Sequence, residues 1–399
     1  MSYTIAGIDI HKKVLMVVVT DVTVEELAFE SRRFGTTASE RQHLVAWLRE
    51  RGVQEIVMES TAQYWKPVWL DLEPHFGKLH LAQAHSNRAP KGRKHDFADA
   101  QRLTRRLVAG ELILSFVPDS EQRGWRTMTR AKVQLVGDRV RLQNQLEALL
   151  EEMRIQLSSV VSELLGLSGR RILRALADGE SDPARLAALG DFRLKCSKEE
   201  LADALSGQLQ PMHRQMLQLF LERLELLDRQ IHRLDQMTAE AMKMHEDAVI
   251  RLAETPGFGP DSAQQIIAEV GPDARSFDSA GQLASWVGTC PGSEESAEQN
   301  HRSRSPKGNR FLRRILNQAA QAAVKKKGSH LQRVFRRWIP KLGYNGAILG
   351  HGPQVVSPGL EDSPRPGPLH RTGGANQSLG EETPGPEDGP GTPSLGLQG

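Results

Sequence analysis

The chain has 399 residues, too many for one ordinary core and suited to about two or three domains. Hydrophobic residues make up 39% and charged residues 25%, which supplies sizeable cores and excludes wholesale disorder. The net charge of +3 hides an asymmetry: residues 345–399 hold two basic and six acidic side chains, leaving residues 1–344 with 50 basic against 43 acidic.

No apolar run approaches the roughly 18 residues that span a bilayer, and the N-terminus lacks the basic, apolar and small-residue order of a secretory signal. A soluble, cytoplasmic protein without membrane contact is expected. The two cysteines, Cys196 and Cys290, have no C-x-x-C partner, so neither a disulfide framework nor a structural zinc is expected.

In chain order, residues 3–10 (YTIAGIDI) and 14–20 (VLMVVVT) are β-rich runs around His11, Lys12 and Lys13, which predicts a hairpin entering a sheet. Further strands are predicted at 54–58 and 79–82, with helical periodicity at 39–51, 62–73 and 97–109. A mixed α/β domain over residues 1–115 follows.

Residues 116–247 change character. Pro118, Asp119 and Ser120 start and cap a long helix, expected over 121–163 with Leu142, Leu146, Leu149 and Met153 on one face. In a second long helix Leu217, Phe220, Leu224, Leu227, Ile231 and Leu234 alternate three and four apart, the seam of a coiled coil. That seam fits a hairpin closing on itself or an intermolecular coiled coil.

Residues 248–344 open with LAETPGFGPDSAQQIIAEVG, where Gly257 and Gly259 fall in a tight turn between helical segments. The turn fits a helix-hairpin-helix, whose amides at the following helix could hold a nucleic-acid phosphate, and equally a plain helix-turn-helix connection. Beyond Tyr344 the chain carries 13 Gly and 9 Pro in 55 residues with no aromatic, so residues 345–399 are expected to be a disordered tail.

Four acids stand out. Asp9 ends the first strand run, Glu59 follows the apolar run Ile56, Val57 and Met58, and Asp96 and Asp99 begin a helix three apart, on one face. If the strands are neighbours, these carboxylates converge, and clustered carboxylates suit a pair of Mg2+ ions that activate an attacking oxygen and stabilise a leaving one. The helical pair taken alone is equally a helix-start feature.

Basic side chains flank these features. Arg88, Lys91, Arg93 and Lys94 precede the D-x-x-D helix, and residues 301–341 hold 13 Lys or Arg and no acid, including Arg302, Arg304, Lys307, Arg310, Arg313 and Arg314. So one-sided a run predicts phosphate contacts, which supply affinity with little sequence information.

The fragments GIDIHKK, VMESTAQYW and KGRKHDFADAQRL resemble the RuvC-like DEDD domain of insertion-sequence transposases, the bridge-RNA-guided recombinases. LAETPGFGPDSAQQIIAEVG and the stretch from FDSAGQLASWVGTCPGSEESAEQ to NRFLRRILNQAA resemble the C-terminal transposase domain of that family. The resemblance implies an α/β RNase H-like (RuvC-like) N-terminal domain, a long helical coiled-coil connector and a small, mostly α C-terminal domain. It makes Asp9, Glu59, Asp96 and Asp99 the metal-binding acids and Ser296, in PGSEESAEQ, the nucleophile that forms a phosphoserine link to DNA. Locally the sequence departs from the family: Ser293 stands where an asparagine is expected, and Glu298 and Gln299 replace a small, basic pair, which leaves Ser293 as a competitor. Tyr3, Tyr64 and Tyr344 are weaker nucleophile candidates.

The implied activity is DNA cutting and rejoining with Mg2+, with donor and target DNA, a structured guide RNA and a homo-oligomer, dimer or tetramer, as partners. A RuvC-like nuclease would use the acids without Ser296. The resemblance stops in the tail, where a basic helical segment is expected and a Gly/Pro-rich acidic one stands; a frameshift is the simplest account and would leave an inactive nucleic-acid-binding remnant as a further reading.

Overall fold

A computed structural model describes residues 2–24, 27–60, 62–84, 97–255, 257–274, 277, 279–289, 295–296, 299–300 and 308–361. The N-terminal part is a mixed α/β domain. Its elements are β1 (Thr4–Ile10), β2 (Val14–Asp21), β3 (Glu30–Gly35), α1 (Ala38–Glu50), β4 (Val53–Ser60), α2 (Trp65–Leu72), β5 (Lys78–Ala82), α3 (Ala98–Val108) and β6 (Leu114–Ser115). They build a six-stranded sheet in the order β3-β2-β1-β4-β5-β6. The β1–β2 and β2–β3 pairs are antiparallel, β1–β4 and β4–β5 parallel, and β5–β6 antiparallel.

Side-chain alternation divides the sheet into two faces. Ala6, Ile8 and Ile10 of β1 and Ile56 and Met58 of β4 pack under α1 and α2, against Leu44, Trp47, Leu48, Trp69 and Leu72. Val57 faces the other way and packs with Ala82 and Leu103 beneath α3. Gly7 lies on that second face, and a Cβ there would stand 2.5 Å from the Ala100 carbonyl and 2.2 Å from Thr104 Oγ1. The missing side chain lets α3 lie directly on β1.

The strand β3 has no counterpart among the strands expected from sequence. Its ESRRFG run buries only Phe34, as suits an edge strand, so it carries no apolar period; Arg32 lies over the Phe34 ring.

Next comes α4 (Ser120–Glu152), capped by Asp119, whose side chain accepts from the Gln122 amide at 2.8 Å. This helix stops at Glu152 rather than reaching 163. Arg154 takes a left-handed φ of 60°, and α5 (Leu157–Val160), α6 (Leu167–Asp178), α7 (Pro183–Ala187) and α8 (Lys198–Ala204) fill the far end. The return helix α9 (Pro211–Ala241) runs antiparallel to α4, since Arg139 pairs with Asp228 at 2.9 Å while Lys132, seven residues earlier on α4, pairs with Asp235, seven residues later on α9. Leu142, Leu146 and Leu149 meet Leu217, Leu221, Leu224 and Leu227 in one core that Ile172, Leu173, Leu176, Leu186 and Leu201 extend. The apolar seam therefore closes within the chain, while Phe220, Ile231 and Leu234 are only half-buried.

A 3-10 turn (Lys243–His245) leads to α10 (Glu246–Ala253), α11 (Pro260–Val270) and α12 (Ala280–Val287), then to the two-residue strands β7 (Glu295–Ser296) and β8 (Gln299–Asn300), α13 (Arg310–Lys325) and α14 (His330–Glu361). Their core gathers Met242, Leu252, Phe258, Ile266, Leu283, Leu312, Leu316 and Ala319 around Trp125 of α4. Among the described residues no helix is long and apolar enough to cross a membrane.

The border of the expected tail moves. Helix α14 continues past Tyr344 to Glu361 with a kink at Gly343, and Ala347 and Ile348 are buried against Ala320, Val324 and Phe335. Composition averaged over 55 residues concealed this short apolar pair. Residues 362–399 lie outside the described residues.

The contact of α3 with β1 generates a prediction. Gly7→Ala should destabilise the protein by about 1–3 kcal/mol, because the added methyl meets backbone that cannot move without lifting α3. Chemical denaturation of parent and variant measures it, and an unchanged midpoint would show that α3 does not lie as described.

Candidate active site and nucleic-acid interface

Parallel pairing sets Asp9 on β1 directly beside Glu59 on β4. Both side chains follow the alternation that puts Gly7 and Val57 under α3, so they open on the face that this helix covers. Asp99, in the first turn of α3, is carried to the same place, and its charge acts on both strand acids. Three of the four expected acids are thus brought together. Asp96 lies outside the described residues.

Two neighbours went unforeseen. His11 Nε2 stands 3.0 Å from Asp9 Oδ2, and Arg102, one turn beyond Asp99 on α3, places Nη2 3.0 Å from Asp99 Oδ1 and 4.0 Å from Glu59 Oε2. Their spacing was a usable signal: His11 follows Asp9 by two residues, and Arg102 follows Asp99 by three, which puts each on its partner's face.

The electrostatics are those of repelling carboxylates in a half-dry pocket. Burial pushes the Asp9 carboxyl above its ordinary range, His11 opposes this and Asp99 adds to it. Burial likewise raises Glu59, with Arg102 opposing and Asp9 and Asp99 adding. Glu59 Oε2 is buried and makes no hydrogen bond. Hard oxygen donors with an orphaned buried atom fit a divalent cation. Among the described residues no three His, Cys, Asp or Glu side chains close a metal cage, and Arg102 instead supplies a positive charge beside Glu59 and Asp99.

The second candidate region is less fully described. Ser296 ends β7, which pairs antiparallel with β8 in a register that sets Ser296 opposite Gln299. Ser293, Arg88, Lys91, Arg93, Lys94, Arg302, Arg304 and Lys307 lie outside the described residues. Of the basic residues on α13, Arg310 is exposed and stacks over Phe311. The other two turn partly inward: Arg313 Nη2 donates to the Gly288 carbonyl, and Arg314 Nη2 donates to Gln265 Oε1 at 2.7 Å. A basic run read from sequence as a phosphate-facing surface therefore contains two arginines that also tie α13 to its neighbours.

The glycine turn has a packing explanation. Gly257 has φ of 98°, and a Cβ there would stand 2.4 Å from the Ala319 carbonyl, so the glycine permits a backbone contact with α13. Gly259 is the N-cap residue just before α11, and a Cβ there would meet nothing within 4 Å.

Two family models match this chain. Residues 6–155 match a transposase model of the IS110 DEDD type, and residues 250–336 match the model "Transposase IS116/IS110/IS902 family". The two stretches are thus similar to IS110-type transposases, one at each end of the chain. The first match contains Asp9, Glu59, Asp96 and Asp99 and extends along α4; the second contains Ser296 and the basic residues of α13. A curated relative, "Probable family 20 transposase" of Pseudomonas aeruginosa, is 28% identical over 240 residues, which are 59% of this chain. The chain spans 61% of the length of that relative.

A pH dependence follows for the acid cluster. The folded-state pKa of Glu59 lies above its ordinary value of 4.5, so its contribution to stability is full below that value and is lost as pH rises through the folded-state pKa. With divalent cations chelated, Glu59→Gln should melt above the parent protein at pH 7, and the gap should close towards pH 4. Thermal melting at both pH values checks this; a variant that melts lower than the parent at pH 7 would contradict it.

Proposed function

We propose that this chain is the transposase of an insertion sequence: a recombinase that cuts and rejoins DNA through a Mg2+-assisted carboxylate site and the hydroxyl of Ser296, directed by a structured guide RNA. The observation that carries the reading is the parallel β1–β4 register, which sets Asp9 and Glu59 side by side with Asp99 above them. The two family matches support it from both ends of the chain. An antiparallel β1–β2–β3 ribbon continued by parallel β4 and β5, with helices on both faces, supports an RNase H-like (RuvC-like) reading of the first domain.

Asp9, Glu59, Asp96 and Asp99 would hold Mg2+, which supplies the positive charge that a phosphodiester transition state requires. The chain's own groups do the rest. Ser296 Oγ attacks phosphorus, its proton passes through a strand carboxylate to the leaving DNA oxygen, and that oxygen departs as a free hydroxyl. Attack by the freed DNA hydroxyl of another strand on the phosphoserine rejoins the DNA and returns the serine. Arg88, Lys91, Arg93, Lys94, Arg302, Arg304, Lys307 and Arg310 contact phosphates, with Gly257 and Gly259 at the entry to α11. Base pairing by the guide then chooses the sequence.

A homo-oligomer, dimer or tetramer, would complete the assembly. The α4–α9 seam is used within the chain, yet Val136 and Val140 of α4 and Leu219 and Leu226 of α9 remain exposed for contact between copies.

Two variants test the proposal on protein purified with its RNA. Asp9→Ala should reduce Mg2+-dependent strand cleavage by at least a hundredfold. Ser296→Ala should abolish the covalent protein-DNA adduct while DNA affinity stays within about twofold. An adduct mapped to Ser293 or a tyrosine overturns the serine assignment, and cleavage without any adduct moves the reading to a RuvC-like nuclease.

A further inference from the structure

Among the described residues the buried carboxylate outside the acid site is Glu269, at the end of α11, whose side chain is 2% exposed. Three side chains converge on it. Arg130 of α4 forks onto it, Nε to Oε1 and Nη2 to Oε2, both at 2.8 Å. Arg126, one turn earlier on α4, comes within 3.6 Å of Oε2 and donates to the Ala268 and Glu269 carbonyls at 3.0 and 2.5 Å. Asn309 donates its Nδ2 hydrogen to Oε2 at 2.7 Å. Such a pair, stripped of water, is retained only where its geometry is satisfied from every side.

Asn309 is not an ordinary helix residue. Its Oδ1 caps α13 by accepting from the Phe311 and Leu312 amides, and its own amide donates to the Trp286 carbonyl at 3.1 Å. Beside it the Gly308 backbone lies so close to Val287 that a Cβ would stand 2.2 Å from the Val287 carbonyl. From across that contact Arg313 holds the Gly288 carbonyl. Residues 288 and 308 are thus pinned together, and Ser296 lies between them in the sequence.

The far side of the link reaches the acid domain. Helix α4 begins directly after that domain, and Arg123 on its first turns binds Glu73, just past α2, through Nη1 at 3.0 Å and Nη2 at 2.6 Å. One helix therefore carries Arg123 against the acid domain and, one and two turns later, Arg126 and Arg130 against Glu269.

We propose that Glu269 is a positioning residue: through Asn309 it fixes residues 288 and 308, which flank Ser296 in the sequence, to the helix leaving the acid domain. The inference rests on Ser296 being the reacting group, and it assigns Glu269 no contact with DNA.

The experiment uses full-length protein with its RNA, a nitroxide on Cys290 in a Cys196→Ser background, and plasmid DNA bearing the element's own ends. Asn309→Ser keeps an oxygen that can cap α13 and is too short to donate to Glu269, so it cuts residues 288 and 308 from the hub while both arginines keep their partner; Glu269→Gln removes the hub's charge. In Asn309→Ser, DNA affinity should stay within twofold and the melting temperature within a few degrees of the parent. The single-turnover cleavage rate at saturating DNA should fall at least tenfold, and the label should gain mobility. If Glu269→Gln folds, it should show the same split. An unchanged rate in a folded Asn309→Ser variant overturns the proposal, and so does a fallen rate with unchanged label mobility. Failure of the serine reading is seen separately, as full adduct formation by Ser296→Ala, while label mobility still reports whether residues 288 and 308 are pinned.

Discussion

Two carboxylates held on neighbouring strands repel one another, and burial makes each costlier to ionise. The α/β domain is arranged to hold them there regardless. Ile8, Ile10, Ile56 and Met58 pack on the opposite face of the same two strands, so β1 and β4 cannot slip by one residue without turning those apolar groups into the acid pocket and the acids into the core. Register and charge placement are therefore one constraint. Gly7 extends it to α3, because contact between that helix and β1 sets how far Asp99 and Arg102 stand from the strand acids.

Much of this was legible in the sequence, and the reason is periodicity. The strands β1, β2 and β4 each contain an apolar run, and Asp9 and Glu59 are conspicuous because each follows one. The D-x-x-D spacing marked Asp99 without knowledge of the sheet. What escaped were features whose signal lies in partners distant along the chain. Strand β3 is an edge with one buried side chain, so it shows no alternation. Arg102 reads as an ordinary surface arginine until α3 is docked, and Glu269 reads as one more helix acid until Arg130, 139 residues away, is placed against it. Gly257 was visible as a turn glycine, but the Ala319 carbonyl that demands it comes from a helix more than 60 residues on. Arg313 and Arg314 show what charge density alone does not reveal: both are also bonded to neighbouring elements, which only the fold shows.

The C-terminal helices depend on a different kind of contact. Trp125 of α4 sits in their core and donates its ring N–H to the Ala241 carbonyl at 3.2 Å, while Gln122 donates to the Ala268 carbonyl at 3.1 Å. The first turns of α4 therefore belong to the C-terminal core as much as to the connector. Burial disfavours the charge of Arg126, and the carboxylate of Glu269 together with two backbone carbonyls compensates it. Apolar packing supplies adhesion here, and the polar cluster supplies a single orientation.

The antiparallel course of α4 and α9 has a consequence for how such a protein can change. At about 1.5 Å per residue, α4 projects about 50 Å, yet α9 brings the chain back to its base, where Trp125 meets Ala241 and Lys132 meets Asp235. The acid domain and the C-terminal helices are both joined to that base, and the small helices α5 to α8 sit at the remote tip. Residues gained, lost or rebuilt at the tip leave the contacts of that base untouched. The connector is thus a cantilever whose free end can diverge while its root stays fixed.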